Sequence, residues 1–184
     1  MRMHPLLGGS IATVALPILA LAQIAPDFAR KAQTGAPAAI SANATIAHID
    51  AAGKAVHIMR QGTNGFTCSL LPDGSDAPIC ADAPGWQWMV DAFMGKPTPT
   101  NTTPGIAYMA AGGMHYETPD GQAVMAAGPN TKEVPEPPHW MILWPVDAAT
   151  SGLPTTSTAG VAYIMFAGTP YAHLMIHQDP AKMR

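Results

Sequence analysis

Asp82-Ala83-Pro84-Gly85-Trp86-Gln87-Trp88-Met89-Val90-Asp91-Ala92-Phe93-Met94-Gly95-Lys96-Pro97 is the stretch on which the fold class turns. Trp86, Met89, Val90 and Phe93 fall at i, i+3, i+4 and i+7, the spacing that gathers side chains on one face of an α-helix. Asp82 is a capping residue, Pro84 suits a first turn that needs no amide, and Gly95 and Pro97 stop the helix. Such a stripe can serve as an aromatic platform for a ligand. Facing a core is its far commoner use. On either side of this helix the period drops from 3.6 to two.

Upstream, residues 45–50 and 54–60 alternate about Ala51-Ala52-Gly53 and read as a β-hairpin. A turn at 61–65 leads into 66–69. Downstream, 105–110 reads as a strand and 122–126 as a weaker one. A proline-dense loop at 134–138 separates these from strands at 139–144, 161–166 and 171–177. These segments predict an α+β domain, a strand-rich antiparallel sheet with one clear amphipathic helix and a single disulfide.

Composition agrees and narrows the function classes. With 19 Pro and 17 Gly in 184 residues the chain is too punctuated for a helical bundle. Hydrophobic residues make up 48%, enough for a core, while charged residues at 11% fall below half of the roughly 25% typical of soluble domains. The net charge is −3 with nine Lys and Arg, so no basic surface exists to neutralise phosphates and nucleic acid is excluded as a partner.

The N-terminus carries an address. Arg2 precedes an apolar run over 6–22 that ends in Ala20-Leu21-Ala22, the pattern of a secretory signal peptide cleaved after Ala22. The run is short for a membrane span and Gly8, Gly9 and Pro17 interrupt it. The expected organisation is a signal peptide at 1–22, a flexible Ala/Pro-rich linker at 23–44 and a single globular domain at 45–184. The mature chain is expected in the periplasm or outside a bacterial cell, with no membrane attachment.

Cys68 and Cys80 are the only cysteines, and export places them where disulfides persist. Redox pairs usually hold their thiols closer in sequence, and two thiolates without a third make a poor zinc site. A structural bridge across the turn-rich 69–79 segment would contribute about 3 kcal/mol.

Several segments resemble an uncharacterised family of secreted bacterial proteins. They are Arg60-Gln61-Gly62-Thr63-Asn64-Gly65-Phe66-Thr67-Cys68, Cys80 with the Trp-bearing helix, and Gly105-Ile106-Ala107-Tyr108-Met109. Pro138-His139-Trp140-Met141-Ile142 and Gly168-Thr169-Pro170-Tyr171-Ala172-His173-Leu174-Met175 complete the set. The resemblance spans most of 45–177, although members often carry a bulkier residue where Phe66 stands. It implies a compact exported domain and brings no assigned activity, cofactor or catalytic residue.

The residues themselves offer one chemical pattern. His139-x-Met141-Ile142 and His173-x-Met175-Ile176 share a His-x-Met-Ile motif, and the second runs on to His177. On a strand, alternate residues share a face, so His139 joins Met141, and His173 joins Met175 and His177. Imidazole and thioether together suit copper, and thioether favours Cu(I). His173 and His177 stand roughly 13 Å apart along a strand, too far to bind one ion, so a site needs the two strands to be neighbours. The competing use of the methionines is as flexible core filler. His48 and His57 can pair across the first hairpin, while His115 is expected in a solvated loop.

Enzyme signatures are weak. The chain has neither a Gly-x-Ser-x-Gly elbow nor a His-Glu-x-x-His motif. A hydrolase would have to combine His139 and Asp147 with Ser151 or Ser157, and Glu133 with Glu136 is expected in a solvated loop. The expected role is therefore non-catalytic: binding of an unidentified small ligand, a metal such as copper, or a protein partner. The alternative is a structural or interaction module without a small-molecule site.

Overall fold

The computed structural model describes residues 18–157 and 160–183; most of the expected signal peptide lies outside them. In chain order the elements are α1 (Ile18–Gln33), α2 (Ala38–Ser41), β1 (Thr45–Asp50), β2 (Ala55–Arg60), β3 (Thr67–Leu70), β4 (Pro78–Ala81) and α3 (Ala83–Phe93). There follow β5 (Gly105–Met109), β6 (Gly113–Glu117), β7 (Ala123–Val124), β8 (Lys132–Glu136), β9 (His139–Leu143), α4 (Ala148–Ser151), β10 (Tyr163–Met165) and β11 (His173–Ile176).

Eight strands form one sheet in the order β10-β11-β9-β5-β4-β3-β1-β2, and β7-β6-β8 form a second, smaller one. The α+β class therefore holds, with one departure: β1 pairs with β3 in parallel, so the main sheet is mixed. After β2 the chain must cross the start of β1 to reach its inner side. It does so through the 61–66 turn, where Thr45 N–H donates to Phe66 O and Thr63 N–H to Asn43 O. Gly62 passes so close that a Cβ would stand 2.2 Å from Thr45 N. Only glycine allows that crossing.

α3 lies where the sequence put it, with a shifted face. Asp82 caps it by accepting Gly85 N–H at 2.9 Å. Of the expected stripe only Met89 is buried; Trp86, Val90 and Phe93 are half-buried, and Gly85, Trp88 and Asp91 take the inner face with Met89. The phase is set by Gly85 meeting Gly105, where an added Cβ on Gly105 would come within 2.1 Å of Gly85 N. Backbone-to-backbone contact rotates the helix so that its small residue faces the sheet.

The expected flexible linker at 23–44 is corrected. α1 and α2 occupy most of it, and Ala32, Ala36 and Ala44 are buried against Cys68, Leu70 and Cys80. Small alanines let the helix approach the β3–β4 hairpin closely, which a purely compositional reading of Ala and Pro misses. Cys68 and Cys80 face each other across that hairpin and are disulfide-bonded. Because side chains alternate along a strand, Ile79, Ala81, Ala107, Met109, Met141 and Met175 occupy the opposite face, under α3 and the small sheet. No helix among the described residues is long and apolar enough to cross a membrane.

Candidate functional site

β9 and β11 are neighbours. They pair antiparallel with Met141 opposite Met175, and the same register continued sets His177 beside His139, with ring centroids 6.2 Å apart. The flanking strands add two more thioethers on this face. Met109 of β5 lies opposite His139, and Met165 of β10 lies opposite His173. The two His-x-Met segments thus form the middle of a four-strand surface.

That surface is one wall of a partly open cavity of about 270 Å³, bounded also by α3 and by the small sheet with its loops. Met109, Met141, Met165 and Met175 line it from the main sheet, Met89 from α3, Met114 from β6 and Met125 from the loop after β7. Seven of the twelve methionines converge here, although they are spread along the sequence.

His139 and His173 both line the cavity and are almost wholly buried. Their Nδ1 atoms lie 2.7 Å from Pro137 O and 2.9 Å from Tyr171 O. A carbonyl only accepts, so Nδ1 carries the proton in each ring and Nε2 keeps its lone pair. Among the described residues neither Nε2 has a hydrogen-bond partner. Burial pushes His139 below the usual imidazole value and His173 to about 4, so both are neutral near pH 7. Trp88 and Phe166 pack edge-on against the His173 ring at 5.0 and 5.5 Å.

The polar end of the cavity is built from residues expected in loops. His115 is buried on β6 and Glu136 is buried at the end of β8, correcting the expectation that both are solvated. Glu136 is the hub. Its Oε2 accepts from His177 Nε2 at 2.6 Å, and its Oε1 accepts from the Tyr163 hydroxyl. His115 Nδ1 also lies 2.8 Å from Oε1, close enough for an ion pair but off the axis of a directed hydrogen bond. His115 Nε2 reaches Glu117 Oε1 at 3.0 Å, and Lys132 closes the chain on Glu117 Oε2 at 3.2 Å.

Burial alone would raise Glu136; His115, Tyr163 and the positive charge around it outweigh burial and hold the carboxyl at about 2. Burial alone would lower His115, but Glu136 and Glu117 outweigh it and raise the imidazole above its ordinary value. The outcome is a buried row, Glu117, His115 and Glu136, in which the two carboxylates favour the protonated form of the imidazole between them. Sequence reading passed over it because Pro135, Pro137 and Pro138 mask a strand that pairs only along β6. A weak signal was present: Glu117 stands two residues beyond His115, the spacing that places both on one strand face.

The five sequence-named His and Met residues all belong to this face, but they divide. His139, Met141, His173 and Met175 line the cavity, whereas His177 is engaged by Glu136 and its Nδ1 is buried without a partner. Among the described residues no three His, Cys, Asp or Glu side chains are arranged to hold a metal together. Any ion in the cavity would depend on thioether sulfur. The hydrolase residues are not assembled into a triad: Asp147 is exposed and caps α4 by accepting Ala149 N–H, while His139 is held by Pro137. His48 and His57 pair across β1 and β2 with stacked rings 6.3 Å apart, exposed and far in the sheet order from the cavity.

The chain matches no protein-family profile, no curated protein and no solved structure.

Proposed function

We propose that this is an exported soft-metal-binding protein that holds Cu(I) in the methionine-lined cavity, through His139, Met141, His173 and Met175. One observation carries the reading: two neutral imidazoles, each with Nδ1 tied to a backbone carbonyl and Nε2 free, stand on one sheet face among thioethers. A ligating histidine characteristically donates its other ring N–H to a carbonyl or carboxylate, which fixes tautomer and ring orientation. Thioether sulfur selects soft ions, and the scarcity of oxygen donors around His173 disfavours Mg²⁺, Ca²⁺ and Mn²⁺. Trp88 and Phe166 would screen an ion at His173 from water. His177 serves here as a holder of Glu136 rather than a ligand.

A second reading rests on the same walls. Seven methionines with Trp88, Phe93 and Phe166 make an adaptable apolar cavity, suited to a small apolar molecule. Anaerobic titration of the disulfide-bonded protein with Cu(I), against a calibrated chelator, separates the two. The copper reading expects tight binding that weakens in His173→Ala and in Met175→Leu. Binding no tighter than that of a His- and Met-poor control protein would retire it and leave the apolar ligand.

A further inference from the structure

β9 and β11 repeat the same segment in opposite directions. A local two-fold axis normal to the sheet, between Met141 and Met175, exchanges His139 with His173. It also exchanges Met109, opposite His139 on β5, with Met165, opposite His173 on β10. Each histidine therefore has a thioether directly across on its outer neighbour and another two residues along its own strand. The two histidines lie on either side of the Met141–Met175 rung. Four residues of strand, roughly 13 Å, separate their positions along the sheet.

Metal–nitrogen bonds of about 2 Å cannot bring both imidazoles onto one ion across that span without breaking the Nδ1 contacts that orient them. We propose that the cavity takes two Cu(I) ions rather than one. The first is held by His139 Nε2 with the sulfurs of Met109 and Met141, the second by His173 Nε2 with those of Met165 and Met175. The proposal rests on the copper reading and sharpens it from a cavity to two three-coordinate sites. The sites are not equivalent. The two-fold axis exchanges Leu143 with His177 and Ala107 with Tyr163, so the His139 end adjoins the Glu136 network while the His173 end is walled by Trp88 and Phe166. Two ions in unlike surroundings should load in two resolved steps.

Copper content and competition titration of the anaerobic, disulfide-bonded protein test this directly. Two ions per chain are expected, with one remaining in His139→Ala and one in His173→Ala, and none in the double variant. X-ray absorption should report one nitrogen and two sulfurs per copper. Met109→Leu and Met165→Leu keep the core volume nearly constant and cover the case in which an alanine variant fails to fold. Each should weaken only its own ion, by about tenfold or more. A single ion per chain, weakened by both leucine variants alike, overturns the two-site proposal and leaves the copper reading standing. No copper bound at all overturns both.

Discussion

At the scale of single residues, the protein is defined by which histidines are charged. His139 and His173 line the cavity and are kept neutral by burial, whereas His115 lies between two carboxylates that favour its charged form. These opposite environments determine how stability follows pH. His173 falls from 6.5 unfolded to about 4 folded, so the folded state binds fewer protons below neutrality. Its contribution is complete above pH 6.5 and is lost as pH drops toward 4, on the order of 3 kcal/mol. Glu136, lowered from 4.5 to about 2, adds a further loss as pH falls from 4.5 toward 2. His115, being raised, contributes below 6.5 and loses its share only as pH climbs above that value. The metal-free protein should therefore show a denaturant midpoint that falls steadily from pH 6.5 to 4, with His173→Gln flattening that limb. A midpoint independent of pH across this window would contradict the assignment.

Among the elements, those specified by neighbouring residues are legible in the sequence and those specified by distant contacts are not. α3 was legible because its cap, its apolar period and its stop signals agree. Its rotation was not, because the Gly85–Gly105 contact is a property of two segments brought together by folding. β6 and β8 were invisible for a related reason: the prolines over 134–138 read as a loop and His115 as part of another, yet Pro135 sits on β8, an edge strand of the small sheet, where a missing amide costs little. The Asp82 cap ties the helix to the sheet, since its Oδ1 also accepts Ile106 N–H at 3.0 Å. Asp82→Ala should lower stability by about 1–2 kcal/mol, as a midpoint shift at unchanged denaturant slope, while Asp82→Asn should retain most of it. Equal losses in the two variants would mean that the carboxylate's charge, not the cap, is what matters.

On the scale of the whole molecule, the two faces of the main sheet have separate duties. One face carries the disulfide beneath α1; the other carries the cavity beneath α3 and the small sheet. Removing the bridge as Cys68→Ala with Cys80→Ala should cost about 3 kcal/mol in equilibrium unfolding. The copper binding proposed for the cavity should be nearly untouched under native conditions, because the bridge lies on the far side of β3 and β4 and the cavity strands β9 and β11 are further along the sheet. A variant that stays folded but no longer binds copper would show that the faces are coupled.

What the chain's own sequence determined is local: the capped helix, the alternating strands, the cysteine pair, and the two His-x-Met segments with side chains sharing a face. Those follow from backbone periodicity, caps and turn residues, which act within a few positions. Only the tertiary structure decided that β9 and β11 are neighbours, that five further methionines from distant segments meet them, and that Glu136 is a buried hub. Strand pairing and the closing of a cavity depend on contacts between residues far apart in sequence. The free energy of those contacts exists only once sheet, helix and small sheet have come together.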